Sequence, residues 1–362
     1  MKKLYILIFI TSISSATFAQ VPSQQWGFAS GGPSGEQIEA SCTDPSGNYY
    51  IAGSFDGTVD FDPSGGTASR STTVAGTTDA FIAKFNPAGQ LQWVTTFGGS
   101  ESDGIYGIAA DASGVYVTGF FAGTADFDPV GTTTKIAVDD YDIFVAKYNV
   151  LNGNLLFVTS FGSSGTDYGN AITVNGNSIY VTGAFHDVID FDPSVSSDPL
   201  TSLGETDVFL ASYTVLGDYQ WAINIGSSDD DEGYAVVTNG SSVWVAGNFE
   251  GTFYPDPNDG TVSGDAVDLT DGFLSEYDVT AGTWKSWATI QSTGNDVIIS
   301  LALDGRGGLY TAGRFDGNVV MYGANSTSKV SSSFGNLDNF VSRYDISTRT
   351  IVVAQHFRQY AR

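Results

Sequence analysis

The stretch GTVDFDP, residues 57–63, decides how this chain is read. Two carboxylates, Asp60 and Asp62, flank a phenylalanine, and a proline follows. Alone it suggests a metal loop, half of a catalytic acid pair, or a turn. It returns as GTADFDP (123–129), as DVIDFDP (187–193) and, altered, as GTFYPDP (251–257). A segment that recurs at near-constant spacing belongs to an architecture before it belongs to an active site.

Working outward, three further registers keep the same period. The glycine of a G-x-F motif stands at Gly53, Gly119, Gly183, Gly247 and Gly313, 66, 64, 64 and 66 residues apart. An aspartate opens an aromatic run at Asp79, Asp142, Asp207, Asp271 and Asp338. Trp26, Trp93, Phe157, Trp221 and Trp287 form an aromatic register. Each repeat reads as four short β-branched and aromatic runs bounded by Gly, Asn, Asp, Ser and Pro clusters. In the second repeat these are IYGIAAD, VYVTGFF, DIFVAKY and LLFVTSFG, with TADFDP in a longer connection between the second and third. Four strands per unit, repeated, is the pattern of an all-β propeller whose blades stack face to face. The repeats run over about 33–99, 100–163, 164–227, 228–293 and 294–357 as one domain, 20–362. A further fourth-strand segment, QQWGFASGG (24–32), precedes them. Five blades need five such strands and six are present, so the reading allows a five-bladed ring or an open arc of a larger one.

The motifs DxFVAKY, VYVTGxFxGTxDFDP and W-x3-FGG resemble the bacterial SBBP-type β-propeller repeat of exported proteins, across about residues 24–357. The resemblance implies a propeller, usually without known catalysis. Many exported members of that family end in a type IX sorting domain, and none is visible here. The fifth repeat departs from the pattern, with DGNVVMYG in place of the DFDP segment.

Residues 1–19, MKKLYILIFITSISSATFA, carry two lysines, an apolar run and a small-x-small end, the pattern of a cleaved signal peptide. The expectation is secretion to the outer surface or the medium, with the periplasm also open, and no transmembrane segment. Net charge is −26 over the whole chain, and −28 once Lys2 and Lys3 leave with the leader. That field opposes nucleic acid and anionic membrane and favours cations or basic protein surfaces. One cysteine, Cys42, gives no disulfide framework. It reads as a small buried side chain.

The candidate site residues are acidic. Glu36, Asp103, Asp167, Asp231 and Asp296, spaced 67, 64, 64 and 65, each sit just before an innermost strand. They are expected as an acidic ring at a channel mouth, or as acceptors for turn amides. Asp60, Asp62, Asp126, Asp128, Asp190 and Asp192, with the cluster Asp229, Asp230, Asp231 and Glu232, are weak calcium candidates. A calcium site needs six to eight oxygens, and neither an EF-hand loop nor an RTX nonapeptide is present. In DFDP the structural turn is the simpler reading.

These features favour a non-enzymatic binding, adhesion or scaffold module, a monomer rather than an obligate oligomer, with a protein or glycan partner. No cofactor is established, and Ca2+ is possible. The alternatives are a calcium-stabilised surface protein and a carbohydrate-active enzyme. For the enzyme, the carboxylates are near-copies of one another, whereas acid–base work divides roles between unlike groups. No sialidase-type S-x-D-x-G-x-T-W box occurs. TAGTWKSW (280–287) resembles the docking repeats of quinone-cofactor propellers only in outline, because its period differs.

Overall fold

The computed structural model describes residues 31, 35–194, 196–256, 258–267, 269–323, 329–332 and 338–357. Residues 1–19, read above as a signal peptide, and nearly all of the extra segment 24–32 lie outside the described residues, as does the tail 358–362. Side chains of 329–332 and 353–357, His356 among them, are also outside.

Five antiparallel four-stranded units follow one another. Blade 1 is Glu36–Thr43, Tyr49–Asp56, Thr78–Phe85 and Leu91–Gly99. Blade 2 is Gly104–Ala110, Val115–Asp126, Thr134–Tyr148 and Leu155–Phe161. Blade 3 is Tyr168–Asn175, Ser178–Asp190, Pro199–Thr214 and Tyr219–Ile225. Blade 4 is Glu232–Thr238, Ser242–Phe249, Asp271–Asp278 and Trp284–Gln291. Blade 5 is Val297–Leu303, Gly308–Phe315, Asp338–Asp345 and Thr350–Phe357. Each blade's strands pair in chain order, and the innermost strands of successive blades lie side by side. This is a β-propeller architecture. The first and last innermost strands do not pack together as the others do. The far face of blade 5 is open at Tyr310, Arg314, Asn339 and Val352.

The recurring glycine has a steric cause. In every innermost strand the register slips by one residue, a β-bulge, opposite the G-x-F motif. The bulged strand's carbonyl then presses on the glycine. A Cβ on Gly53 would stand 1.9 Å from the Gln37 oxygen, and one on Gly183 1.8 Å from the Tyr168 oxygen. No side chain fits, so glycine recurs.

Faces of neighbouring blades make the core. Tyr50, Ala52, Ala80 and Ile82 of blade 1 pack on Ile105, Val117 and Phe144 of blade 2. The tryptophan register bridges blades: Trp93 and Trp221 each donate an indole N–H to a carbonyl in the next blade, of Val150 and Val279 (both 3.3 Å). Lys84 and Lys147 reach the equivalent turns of the next blade, at the carbonyls of Val150 (2.7 Å) and Val215 (2.9 Å).

The placement of DFDP in a connection is corrected for its first Asp only, because the Phe, Asp and Pro lie beyond the strand ends at Asp60, Asp126 and Asp190. In blades 2 and 3 the second strand runs on through Asp126 and Asp190 and keeps pairing with the third. In blades 1 and 4 the same stretch forms a separate small hairpin, Thr58–Asp60 with Ser69–Ser71 and Thr252–Phe253 with Gly264–Asp265. The reason is burial: Val59, Phe61, Phe127, Ile189 and Phe191 are core residues, which demands alternating extended chain. Blade 5 keeps the device without the motif. Val319 and Met321 are buried where Val59 and Phe61 stand in blade 1, and Asn318–Tyr322 pairs with Lys329–Ser332. These outer prolongations also meet the preceding blade, as in Gly98↔Asp126 and Gln291↔Val320. Gly31 makes a like bridge to Asp60.

Candidate functional site

The DFDP carboxylates are turn acceptors. Asp60 Oδ1 accepts the amides of Asp62 (3.1 Å) and Ala68 (2.8 Å). Asp126 Oδ1 accepts those of Asp128 (3.1 Å) and Thr133 (2.8 Å). Asp190 Oδ1 accepts those of Asp192 (3.1 Å) and Asp198 (3.0 Å). Asp62, Asp128 and Asp192 each take the amide two residues on. The intervening carbonyl is held as well: the Tyr148 hydroxyl donates to Phe127 O (3.1 Å), Tyr213 to Phe191 O (2.9 Å) and Tyr277 to Pro255 O (2.7 Å). Two nested Asx turns and a tyrosine lock close the segment.

The cluster at 229–232 is dispersed by strand alternation. Asp229 is exposed, and Asp230 accepts the Thr206 amide (3.2 Å) and hydroxyl. Asp231 is buried and Glu232 faces the central channel. Among the described residues, no group of three or more His, Cys, Asp or Glu side chains is arranged to hold a metal ion.

The expectation of an open acidic ring at a channel mouth is corrected. Asp103, Asp167, Asp231 and Asp296 occupy equivalent places but are 0–1% exposed. Each clips two blades. Asp103 takes the amides of Gly99 (2.8 Å) in blade 1 and Ala122 (3.3 Å) in blade 2. Asp167 takes those of Ser163 and His186 (both 2.7 Å). Asp231 takes those of Ser227 (2.5 Å) and Glu250 (3.1 Å). Asp296 takes the Ser292 hydroxyl (3.0 Å) and the Asp316 amide (3.1 Å). Only Glu36, the first of the register, is exposed. Burial pushes Asp103 and Asp231 up to about 8 and Asp296 up to about 7, against the pull of the amides and hydroxyls.

Cys42 is half-buried, and burial, with Asp44 adding to it, pushes its thiol up to about 12, an unreactive state.

The site the sequence reading missed lies three residues beyond this acidic register. A channel of about 630 Å³ is lined by Glu39, Tyr106, Asn170, Tyr234 and Ile299, with Tyr168 and Glu232 beside them. The first five are the bulge residues of the five innermost strands. A bulge leaves one residue unpaired and re-aims its side chain, here into the channel. Glu232 is the best-held group. Its Oε1 accepts from Asn170 Nδ2 (2.9 Å) and its Oε2 from the Tyr234 hydroxyl (2.6 Å). Tyr106 and Tyr168 form an aromatic wall with Phe120 and Tyr141, centroids 4.9–6.0 Å apart. Burial raises the Tyr106 phenol, and Glu39 and Glu232 raise it further, so the channel field is negative. A smaller pocket of about 190 Å³ continues past Tyr168 and Glu232 to His186, Thr206 and Asp230. A signal for the site was present in the sequence. This register reads Glu, Tyr, Asn, Tyr, Ile, and the adjoining one that supplies Tyr168 and Glu232 also varies, while the Gly53 register opposite repeats.

The architecture and channel define a β-propeller with a central ligand-sized cavity. No family model matches the chain. It is 31% identical over 153 residues to an uncharacterized WD repeat-containing protein, L264, of Acanthamoeba polyphaga mimivirus, covering 40% of this chain and 11% of that protein. It is 25% identical over 218 residues to the regulatory protein FlaEY of Caulobacter vibrioides, covering 56% and 22%. The chain thus spans at most about a quarter of the length of these relatives. Among solved structures, the quinohemoprotein alcohol dehydrogenase ADHIIG of Pseudomonas putida HK5 superposes with a TM-score of 0.40 at 10% identity, over 92% of this chain and 62% of that one.

Proposed function

We propose that this chain is a non-enzymatic binding or scaffold propeller whose channel receives a positively charged segment of a partner protein. The carrying observation is the bulge register. Every innermost strand sends one residue into the channel, and that residue changes from blade to blade while the G-x-F glycine opposite it recurs in all five blades. Repetition builds the frame and variation at one layer writes a specificity. Among the described residues, the lining combines two carboxylates with three phenol rings and includes no Lys or Arg. Carboxylates and aromatic faces both attract ammonium and guanidinium groups. The overall charge steers such a partner inward. The leader-like residues 1–19 and the resemblance to SBBP-type motifs support export, and with it a partner at the outer surface, in the medium or in the periplasm.

The test is calorimetric titration of the full chain with a lysine-rich peptide at about 0.15 M salt. The expected result is saturable one-to-one binding that weakens about tenfold in Tyr168→Ala and in Glu232→Gln, a loss of about 1.4 kcal/mol each. Asp62→Asn, on an exposed turn, leaves it unchanged. Equal binding by all three variants would mean nonspecific charge attraction and would overturn the proposal. Binding of a neutral oligosaccharide that needs Tyr168 but not Glu232 would replace the cationic ligand by a glycan.

A further inference from the structure

The acidic residues of the blade junctions stand in pairs. Asp79 and Asp103, Asp142 and Asp167, Asp207 and Asp231, and Asp271 and Asp296 each join the opening of one blade's third strand to the threshold of the next blade. All eight are 0–3% exposed. The pairs are close. A Cβ on Gly98 would lie 2.7 Å from Asp79 Oδ1 and 2.8 Å from Asp103 Oδ2, so the two oxygens face one small volume. In every pair the amide of the second Asp donates to the carbonyl just before the first, at Thr78, Tyr141, Thr206 and Thr270 (2.8–2.9 Å). Among the described residues, one oxygen in every pair accepts no hydrogen bond: Asp79 Oδ1, Asp142 Oδ1, Asp207 Oδ1 and Asp296 Oδ2.

A buried carboxylate oxygen with no donor, facing a second carboxylate, is costly if both groups are ionised. We propose that each of these four pairs holds one shared proton, so that the blade junctions are carboxylic acid–carboxylate bonds and the propeller tightens as pH falls. A proton suits the surroundings better than a metal ion. The other contacts of these oxygens are N–H and O–H donors: Thr73, Gly99, Val138, Ser163, Leu203, Ser227, Val267 and Ser292. Donors of that kind hold an anion and do not ligate a cation.

Burial, then the partner's charge, sets the direction. Asp103 and Asp231 rise to about 8 and Asp296 to about 7, and burial lifts Asp142, Asp207 and Asp271 to about 6. Other charged groups act on two junctions. Glu101 pushes Asp103 up, and His186 pulls Asp167 down. At Asp207–Asp231 the neighbours are Asn224 and Ser227 and, across the adjoining pocket, His186, Asp230 and Glu232; at Asp271–Asp296 they are Ser292 and Gln291. With folded values above the unfolded value of 3.8, this stability is fully present below about pH 4. It is lost as pH rises through about 6 to 8.

The experiment measures proton release on unfolding the full chain at pH 7, together with unfolding midpoints from pH 5 to 9. Expected are a midpoint that falls with rising pH, release of about one proton each from the pairs of Asp103 and Asp231 with a smaller share from that of Asp296, and a carboxylic acid C=O band in the infrared spectrum of the folded protein. Asp231→Asn places a permanent donor in its pair. It removes about one released proton and flattens the pH slope, while Asp62→Asn, on the surface, does neither. The net charge of −26 alone would also favour acid, but that slope would persist in Asp231→Asn. A midpoint that is flat or rises from pH 5 to 9 overturns the proposal. So does absence of the infrared band, which requires no variant to fold. A saturable, calcium-specific rise in midpoint that expels these protons would assign the pairs to a cation instead.

Discussion

The chain repeats aspartate in two places, and the two sets behave in opposite ways. At the outer edge, the DFDP aspartates are turn acceptors close to water. Hydrogen bonds from Ser64 hold Asp62 below the usual carboxylate range. Asp190 is also lowered, because donors at Asp198, Ser197 and Asp192 outweigh its slight burial. At the blade junctions, burial outweighs similar donors and the carboxyls rise. Amides surround both sets. The difference is desolvation, which reverses the preferred charge state. Equal conservation of a residue type from repeat to repeat is therefore no guide to its ionisation.

The comparison can be broken at its apolar anchor first. Phe127 is fully buried and stacks on Phe97 at 4.7 Å, with Phe121 and Phe144 at 5.4 and 5.1 Å. Phe127→Ala should destabilise by about 3–5 kcal/mol in denaturant unfolding. A loss below about 1 kcal/mol would show that the DFDP segment is not part of the core. Next, Tyr213→Phe removes the donor to the buried Phe191 carbonyl and should cost about 1–3 kcal/mol. Blade 1 carries Phe85 in this register and is a natural reference for a segment without the lock. Smaller still, Asp126→Ala gives up two turn hydrogen bonds near solvent and should cost about 1 kcal/mol.

The two sets should also part along the pH axis. Lowered turn carboxylates contribute stability that is present above their unfolded value and is lost as pH falls through their folded values, below about pH 4. Raised junction carboxyls contribute in the other sense. Unfolding midpoints should then pass through a maximum in mild acid and decline on both sides. Asp231→Asn should flatten the alkaline limb alone, and a change on the acidic limb instead would reverse the assignment of the two sets.

Much of this was legible in the residues. The period, the four strands per blade and the turn character of DFDP follow from alternation, turn chemistry and the proline. The structure keeps the Gly53 register for a steric reason that spacing alone implied but did not supply. The fate of the acidic registers was less legible. Asp103 and Asp62 look alike in sequence, since each lies in polar surroundings beside a strand end. Burial at Asp103 comes from the junction it closes, where Thr78 and Asp79 of blade 1 and Ala122 of blade 2, about 20–25 residues away in the chain, converge on it. The channel layer was hidden for a related reason. A bulge is a property of paired strands, and Glu39, Tyr106, Asn170, Tyr234 and Ile299 share no residue type that would mark them as one set.

The sequence by itself determined the repeat, the strands within it and the acidic character of the whole chain, because these depend on local period and composition. Only the tertiary structure decided which carboxylates meet water, which meet each other, and which side chains enter the channel. Those outcomes depend on the stacking of one blade against the next, which sets desolvation and direction together.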